Sequence, residues 1–302
     1  MAKKKATETV VMTANGEQVV KKQNLALETW RRLAKNWSAM VGLAIVIVLV
    51  FCAIFADALY NYNDIVIKQN ISNRLQAPSS EHPMGTDEVG RDVLARIVHG
   101  SRISLEIGLV ANTFSLIVGG VLGALAGFYG GKVDNIIMRI MDVFLAIPGT
   151  LLAICIMAAL GSSIFNLIIA LAVSGTPGYA RIVRGAVLPV RDMEFVEAAR
   201  AIGCTNKRII FGHVLPNSLA PVIVQTTMHV ATTILTIAGL IFLGLGISPP
   251  TPEWGSMLSA GRAYIRGYAY LTTFPGLTIM ITILAFNLLG DGLRDALDPR
   301  LR

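Results

Sequence analysis

The chain has 302 residues, of which 54% are hydrophobic and only 15% charged, and its mean hydropathy is +0.62. Soluble domains carry about 25% charged residues, so a water-solvated globular protein is excluded and lipid is the expected solvent. The formal charge of +7 does not call for nucleic acid, because the basic residues flank apolar runs, where membrane orientation accounts for them.

Residues 1–38 form a polar, basic tail carrying Lys3, Lys4, Lys5, Lys21, Lys22, Arg31, Arg32 and Lys35. The first apolar run begins only near Ala39, too late and too long for a cleaved signal peptide, and reads as an uncleaved anchor. A helical span needs about 20 mostly apolar residues. Six are predicted, over 39–59, 103–129, 136–160, 164–180, 219–247 and 271–289. The fold class is an all-α integral membrane protein with six transmembrane helices. With the N-terminus inside, nineteen Lys and Arg fall on its side of the membrane and seven on the other. Positive residues stay inside, so both termini and residues 181–217 are expected in the cytoplasm. The organisation is then a tail (1–38), a first span (39–59), an extracytoplasmic segment (60–101), a transmembrane core (102–290) holding the 181–217 loop, and a C-terminal tail (291–302).

Within the first external segment, Pro78, Pro83 and Gly85 make an irregular entry. Thr86 or Asp87 is the expected cap of a short helix with Val89, Val93, Leu94 and Ile97 at helical spacing, read as a structural clamp or as a substrate-receiving surface. Gly119, Gly123 and Gly127 recur every four residues on one helix face, which predicts a tight helix contact in lipid. Pro148, Pro177, Pro189, Pro216 and Pro275 lie in or beside the apolar runs and are expected to kink or end helices. In the second external segment, Pro249, Pro250 and Pro252 stiffen the chain before the interfacial Trp254, and Met257 and Leu258 follow on a short helix.

Polar residues inside apolar runs are costly in lipid and mark candidate sites. Glu106 has Arg102 one turn away, and Asp142 has Arg139 nearby, so local pairing is expected for both. Asn112, Gln225 and His229 are the candidate translocation-pathway residues, with helix–helix hydrogen bonding as the other reading. Cys52, Cys155 and Cys204 form no CxxC pair, the four histidines have no paired ligand spacing, and no phosphate-binding loop occurs. No metal site, no cofactor and no catalytic residue is therefore assigned, and any ATP-driven work needs nucleotide held by another polypeptide.

The polar stretch 194–217 stands between two apolar spans. Asp192 and Glu194 suit a helix N-terminus, and Phe195, Val196, Ala198, Ala199 and Ile202 give it a low apolar face. Gly203 supplies a turn with positive φ; a second short helix is predicted from Asn206 to His213, with Ile209 and Ile210 apolar, before Leu215 and Pro216. By residues alone this is either a knob that fits a partner's groove or a surface connection between spans.

The series Glu197-Ala198-Ala199, Gly203 and Leu215-Pro216 resembles the EAA signature of permease subunits of bacterial ATP-binding-cassette importers. His213 stands where the general signature has Ile, a departure that fits the peptide-importer branch, and Gly212 stands where many relatives carry Arg. Three further segments are similar to that branch: Gly85-Thr86-Asp87 with Gly90-Arg91-Asp92, the stretch Pro249 to Gly255, and the ending Gly290 to Pro299. The likeness runs from about residue 30 to the end and is to the second permease of dipeptide and oligopeptide importers. It implies a multi-pass subunit of the bacterial inner membrane, paired with a second permease, two ATPase subunits that use ATP, and an extracytoplasmic binding protein that delivers peptide. Glu197, Ala198, Ala199, Gly203, Leu215 and Pro216 would then form the ATPase-coupling element. Permeases for nickel, glutathione or other small solutes share these motifs. A self-sufficient secondary transporter, with Glu106 and Asp142 relaying protons, is the alternative from another class.

Overall fold

A computed structural model describes residues 10–12, 18–20, 25–247 and 249–298. The lysines at 3–5, 21 and 22 and the end of the last motif, from Pro299, lie outside the described residues. Near the N-terminus Val10–Met12 pairs antiparallel with Gln18–Val20; the other regular elements of the described chain are helices, joined by turns and loops. Helix α1 (Leu25–Leu33) leads through Asn36, which caps the next helix by accepting from the Ala39 amide, into α2 (Trp37–Ile54) and a one-turn α3 (Ala56–Leu59). Then come α4 (Val93–Tyr129), α5 (Gly131–Leu145), α6 (Gly149–Leu160) and α7 (Ile164–Arg191). Two short helices, α8 (Glu194–Ala201) and α9 (Asn206–Ile209), precede α10 (Leu215–Phe242), α11 (Trp254–Gly261) and α12 (Tyr270–Leu297).

Among the described residues five helical segments are long and apolar enough to cross a membrane, and α5 with α6, bent by 81° at their break, make a sixth if the pair counts as one span. The bend falls at Pro148, one of the prolines expected to kink or end helices, within the stretch expected to span over 136–160. Pro148 has no N–H to donate and disfavours helical geometry at Ile147, so the helix stops and restarts there. Pro177 and Pro189 instead stay inside α7, which runs on to Arg191 rather than stopping near residue 180. The last helix passes residue 289 and continues to Leu297, so much of the expected 291–302 tail is helical.

The expected surface helix near residues 89–97 is absent as a separate element. Asp92, not Thr86 or Asp87, is the cap: its Oδ1 accepts from the Ala95 amide at 2.8 Å. Nothing between Ile97 and Ile103 breaks the ladder, so the predicted surface helix and second span are one helix of 37 residues. The Gly-Thr-Asp motif before it is a clamp. Thr86 Oγ1 donates to the Asn73 carbonyl and accepts from the Gln76 amide, Asp87 accepts from the Arg91 Nε at 2.6 Å, and Arg96 reaches the Val66 and Pro250 carbonyls, both at 3.3 Å. Thr86, Asp87, Arg91 and Asp92 are all buried.

The glycine stripe of α4 packs on α7 inside the chain. A Cβ at Gly119 would lie 2.5 Å from the Thr176 carbonyl oxygen, and one at Gly123 2.3 Å from that of Ala180. Hydrophobic residues of α4, α7 and α10 fill the space between these helices, while α2 closes against α12.

Candidate functional site: the folded connection between α7 and α10

The last turn of α7 fixes where the connection starts. Arg191 donates from Nη1 to the Gly127 carbonyl at 2.9 Å and from Nε to Asp192 at 3.0 Å, which ties it to the end of α4. The Arg191 guanidinium holds the exposed Asp192 carboxyl below the usual carboxylate range. Helix α8 then starts with Glu194 and Glu197 in its first turn, where free N–H groups favour negative charge.

The face expected to be uniformly apolar divides in two. Val196 and Ala199 turn inward and join Val187, Val190, Ile209, Ile210 and Val214 in one buried cluster. Phe195, Ala198 and Ile202 turn outward with Glu197, and Ile202 is 80% exposed. Positions 196 and 199 are about 300° apart on the helix, hence neighbours; 197 and 198 fall on the opposite side, and 195 and 202 lie at the edge of the buried face. Arg200 lies with its guanidinium 5.4 Å from the centre of the Phe128 ring, a cation–π contact that holds α8 to α4.

Gly203 ends α8 with φ +81°. The Cys204 amide donates to the Ala199 carbonyl at 3.0 Å and the Gly203 amide to that of Arg200 at 2.9 Å, the paired bonds of a Schellman stop. Thr205 caps α9, and a single wide turn over Ile210–Val214 passes the chain into α10. Leu215 is half-buried beside the cluster, and Pro216, which is exposed, occupies the first turn of α10, where its missing N–H costs nothing. A Cβ at Gly212 would meet open space.

Charge pairs anchor the same end of the bundle, and they differ from the local pairs expected. Asp142 accepts from Arg181 at 2.9 Å rather than from Arg139, and Arg184 binds Asp134 through two bonds. Both join α5 to α7. At the opposite end Arg102 pairs with Asp57 at 2.8 Å rather than with Glu106.

The three pathway candidates do not form one site. Asn112 is buried, donating to the Thr226 carbonyl at 3.1 Å and accepting from the Tyr179 hydroxyl at 2.6 Å, so its amide links α4, α7 and α10. The His229 ring packs on Tyr179 with centroids 4.9 Å apart. Gln225 opens elsewhere, into a groove of about 370 Å³ lined by Met228, Arg294 and Leu297 between α10 and α12. Tyr179 and the Arg184–Asp134 pair were missed in the sequence. The partners stand 67 and 50 residues apart, and no local pattern joins them.

Residues 119–302 match the family described as binding-protein-dependent transport system inner membrane component, and residues 24–78 match the N-terminal TM domain of oligopeptide transport permease C. The chain is 50% identical over 275 residues to the dipeptide transport system permease protein DppC of Alkalihalophilus pseudofirmus, spanning 91% of this chain and 90% of that one. It is 44% identical over 281 residues to the di/tripeptide transport system permease protein DppC of Pseudomonas aeruginosa, spanning 91% and 92%. Against the glutathione transport system permease protein GsiD of Escherichia coli O157:H7 it is 45% identical over 277 residues, spanning 91% and 90%. The inward-facing MetNI methionine ABC transporter shares the fold, with a TM-score of 0.56 over 67% of this chain and 96% of that one at 21% identity.

A bundle of spanning helices with a folded connection between two of them is thus the architecture of an ABC-importer permease subunit. The chain belongs to the family of binding-protein-dependent transport system inner membrane components, as a multi-pass protein of the bacterial inner membrane.

Proposed function

We propose that this chain is one permease of a heterodimeric importer for dipeptides and short oligopeptides, and that α8 and α9 seat in an ATPase subunit on the cytoplasmic side. An extracytoplasmic binding protein delivers the peptide, two ATPases supply the energy from ATP, and this chain binds no cofactor of its own. The observation that carries the reading is the divided face of α8. Val196 and Ala199 are locked into the bundle, while Phe195, Glu197, Ala198 and Ile202 stand exposed. A rigid base under an exposed apolar and acidic face suits a coupling element, which must contact its partner differently in two states. Glu197 supplies the charged contact, and Gly203, Leu215 and Pro216 shape the turn and the return to the span. The identity to two dipeptide or di/tripeptide permeases supports the peptide substrate.

The test is uptake of labelled dipeptide into proteoliposomes holding the second permease, both ATPases and the binding protein. Glu197→Arg should assemble and hydrolyse ATP while uptake falls at least tenfold. Normal uptake by that variant would remove the coupling role, and uptake by this chain alone would make it a secondary transporter. The 45% identity to a glutathione permease supports a second substrate reading; excess glutathione that suppresses dipeptide uptake would favour it.

A further inference from the structure

Helix α1 packs on the bundle through its last turn. Leu33 is buried against Ala39 and Ala296, and Asn36 beyond it reaches Asp295 at 3.3 Å. The helix therefore sits where α12 ends, at the same end of the bundle as α8 and α9, because α12 and α10 pack antiparallel with Gly290 against Met228.

The remaining circumference of α1 is ordered by chemistry. Leu27, Trp30 and Ala34, whose N–H continues the ladder to Trp30, fall within about 60° of one another at 3.6 residues per turn. Leu27 and Trp30 are about half exposed. Arg31 and Lys35 come next around the helix; both are exposed and, among the described residues, neither has an acidic partner. Beyond them Glu28 and Arg32 neutralise each other at 2.5 Å. Immediately after α1 the chain enters the membrane: Trp37, 81% exposed, opens α2, whose 18 residues carry no charge.

An apolar arc, then two free cations, then a neutral pair is the cross-section of a helix lying in the headgroup layer. Continuity with α2 puts the arc beside acyl chains, with Trp37 at the water boundary. Arg31 and Lys35 then stand at phosphate depth. We propose that α1 is a binding site for anionic phospholipid headgroups of the leaflet on the side of α8, with Arg31 and Lys35 holding the phosphate. The bound headgroups fix the corner formed by α1, α2 and α12 to the membrane surface while other helices move.

The test uses the assembled transporter titrated with phosphatidylglycerol and with phosphatidylcholine in native mass spectrometry. One cation near an anionic surface changes affinity about fivefold, so Arg31→Gln with Lys35→Gln should lower the preference for phosphatidylglycerol by roughly 25-fold. Binding of phosphatidylcholine should stay the same. An unchanged preference would overturn the site. If the double variant fails to assemble, a benzophenone amino acid in place of Trp30 decides: a lipid adduct supports the site, and an adduct with an ATPase or another permease chain overturns it. The inference rests on membrane placement and not on the coupling reading, so Glu197→Arg should keep the lipid preference even where uptake is lost.

Discussion

Arg184 grips Asp134 with Nε and Nη2 at 2.5 and 2.6 Å, one bond to each carboxylate oxygen. The pair joins the first turn of α5 to the half of α7 that leads into α8, so on the proposed coupling role a push on α8 would reach α5 through a charged link. Bonds to charged groups contribute about 1.5–3 kcal/mol when well made, and partial exposure of Arg184 puts this pair at the lower end. Asp134→Asn and Arg184→Leu should each lower thermal stability by about 1–2 kcal/mol. The exchange of Asp134→Arg with Arg184→Asp should recover part of that loss. Equal and additive losses in a double-mutant cycle would show that the contact carries no coupling energy.

Gly203 has open space around its Cβ position, so only its backbone argues for glycine. At φ +81° an L side chain costs about 1–2 kcal/mol. Gly203→Ala should therefore weaken the stop of α8 and reduce peptide transported per ATP hydrolysed, with Gly203→Asn milder than Ala. Ratios of uptake to hydrolysis in proteoliposomes measure this directly; an unchanged ratio for Gly203→Pro would contradict it.

The two helices α4 and α7 meet backbone to backbone at Gly123, where a methyl would lie 2.3 Å from a carbonyl oxygen. Gly123→Ala should force them apart and lower the yield of folded protein several-fold. Gly120, on the same helix but with nothing near its Cβ position, should tolerate alanine without loss. Size-exclusion profiles of the two variants side by side give the comparison.

Glu253 is buried at the start of α11, outside the spans, where Oε2 accepts from the Ser256 amide at 2.8 Å and Oε1 from the Ser104 hydroxyl at 3.1 Å. Burial raises its pKa above the usual carboxylate range, against these hydrogen bonds, which lower it. An acid whose folded pKa is raised binds more protons folded than unfolded, so its contribution to stability is complete below the unfolded pKa. That contribution shrinks as pH climbs from there to the folded pKa. The melting temperature of the purified complex should fall across this window, and Glu253→Gln, which keeps an acceptor for Ser256, should flatten the fall. A profile with the same slope in both proteins would refute the assignment.

The spans were legible because lipid leaves a strong compositional trace. The folded connection between α7 and α10 was legible because polarity, a glycine and a proline interrupt that trace in order. What stayed hidden depended on distance along the chain or on competition between neighbours. Asp92 took the cap from Thr86 and Asp87, which were already committed to Asn73, Gln76 and Arg91. Asp142 had Arg139 three residues away, yet α7 presents Arg181 to it across the bundle. Asn112 was open to two readings, pathway or helix–helix hydrogen bonding, and its bonds to Tyr179 and Thr226 depend on residues 67 and 114 positions away. A polar side chain inside a span signals that something pairs with it, and only packing says whether the partner is a solute or another helix.

The glycine contact between α4 and α7 also has a mechanical reading. Helix α7 has 28 residues, a length of about 42 Å, against a hydrocarbon layer of about 30 Å. Zipped to the longer α4, it makes a stiff lever longer than the hydrocarbon layer, with the connection to α10 at its Arg191 end. A tilt on the order of 10° about its lower end would carry the outer end by roughly 7 Å. On the proposed coupling role, a modest displacement of α8 would open or shut an entrance on the far side without melting a single turn.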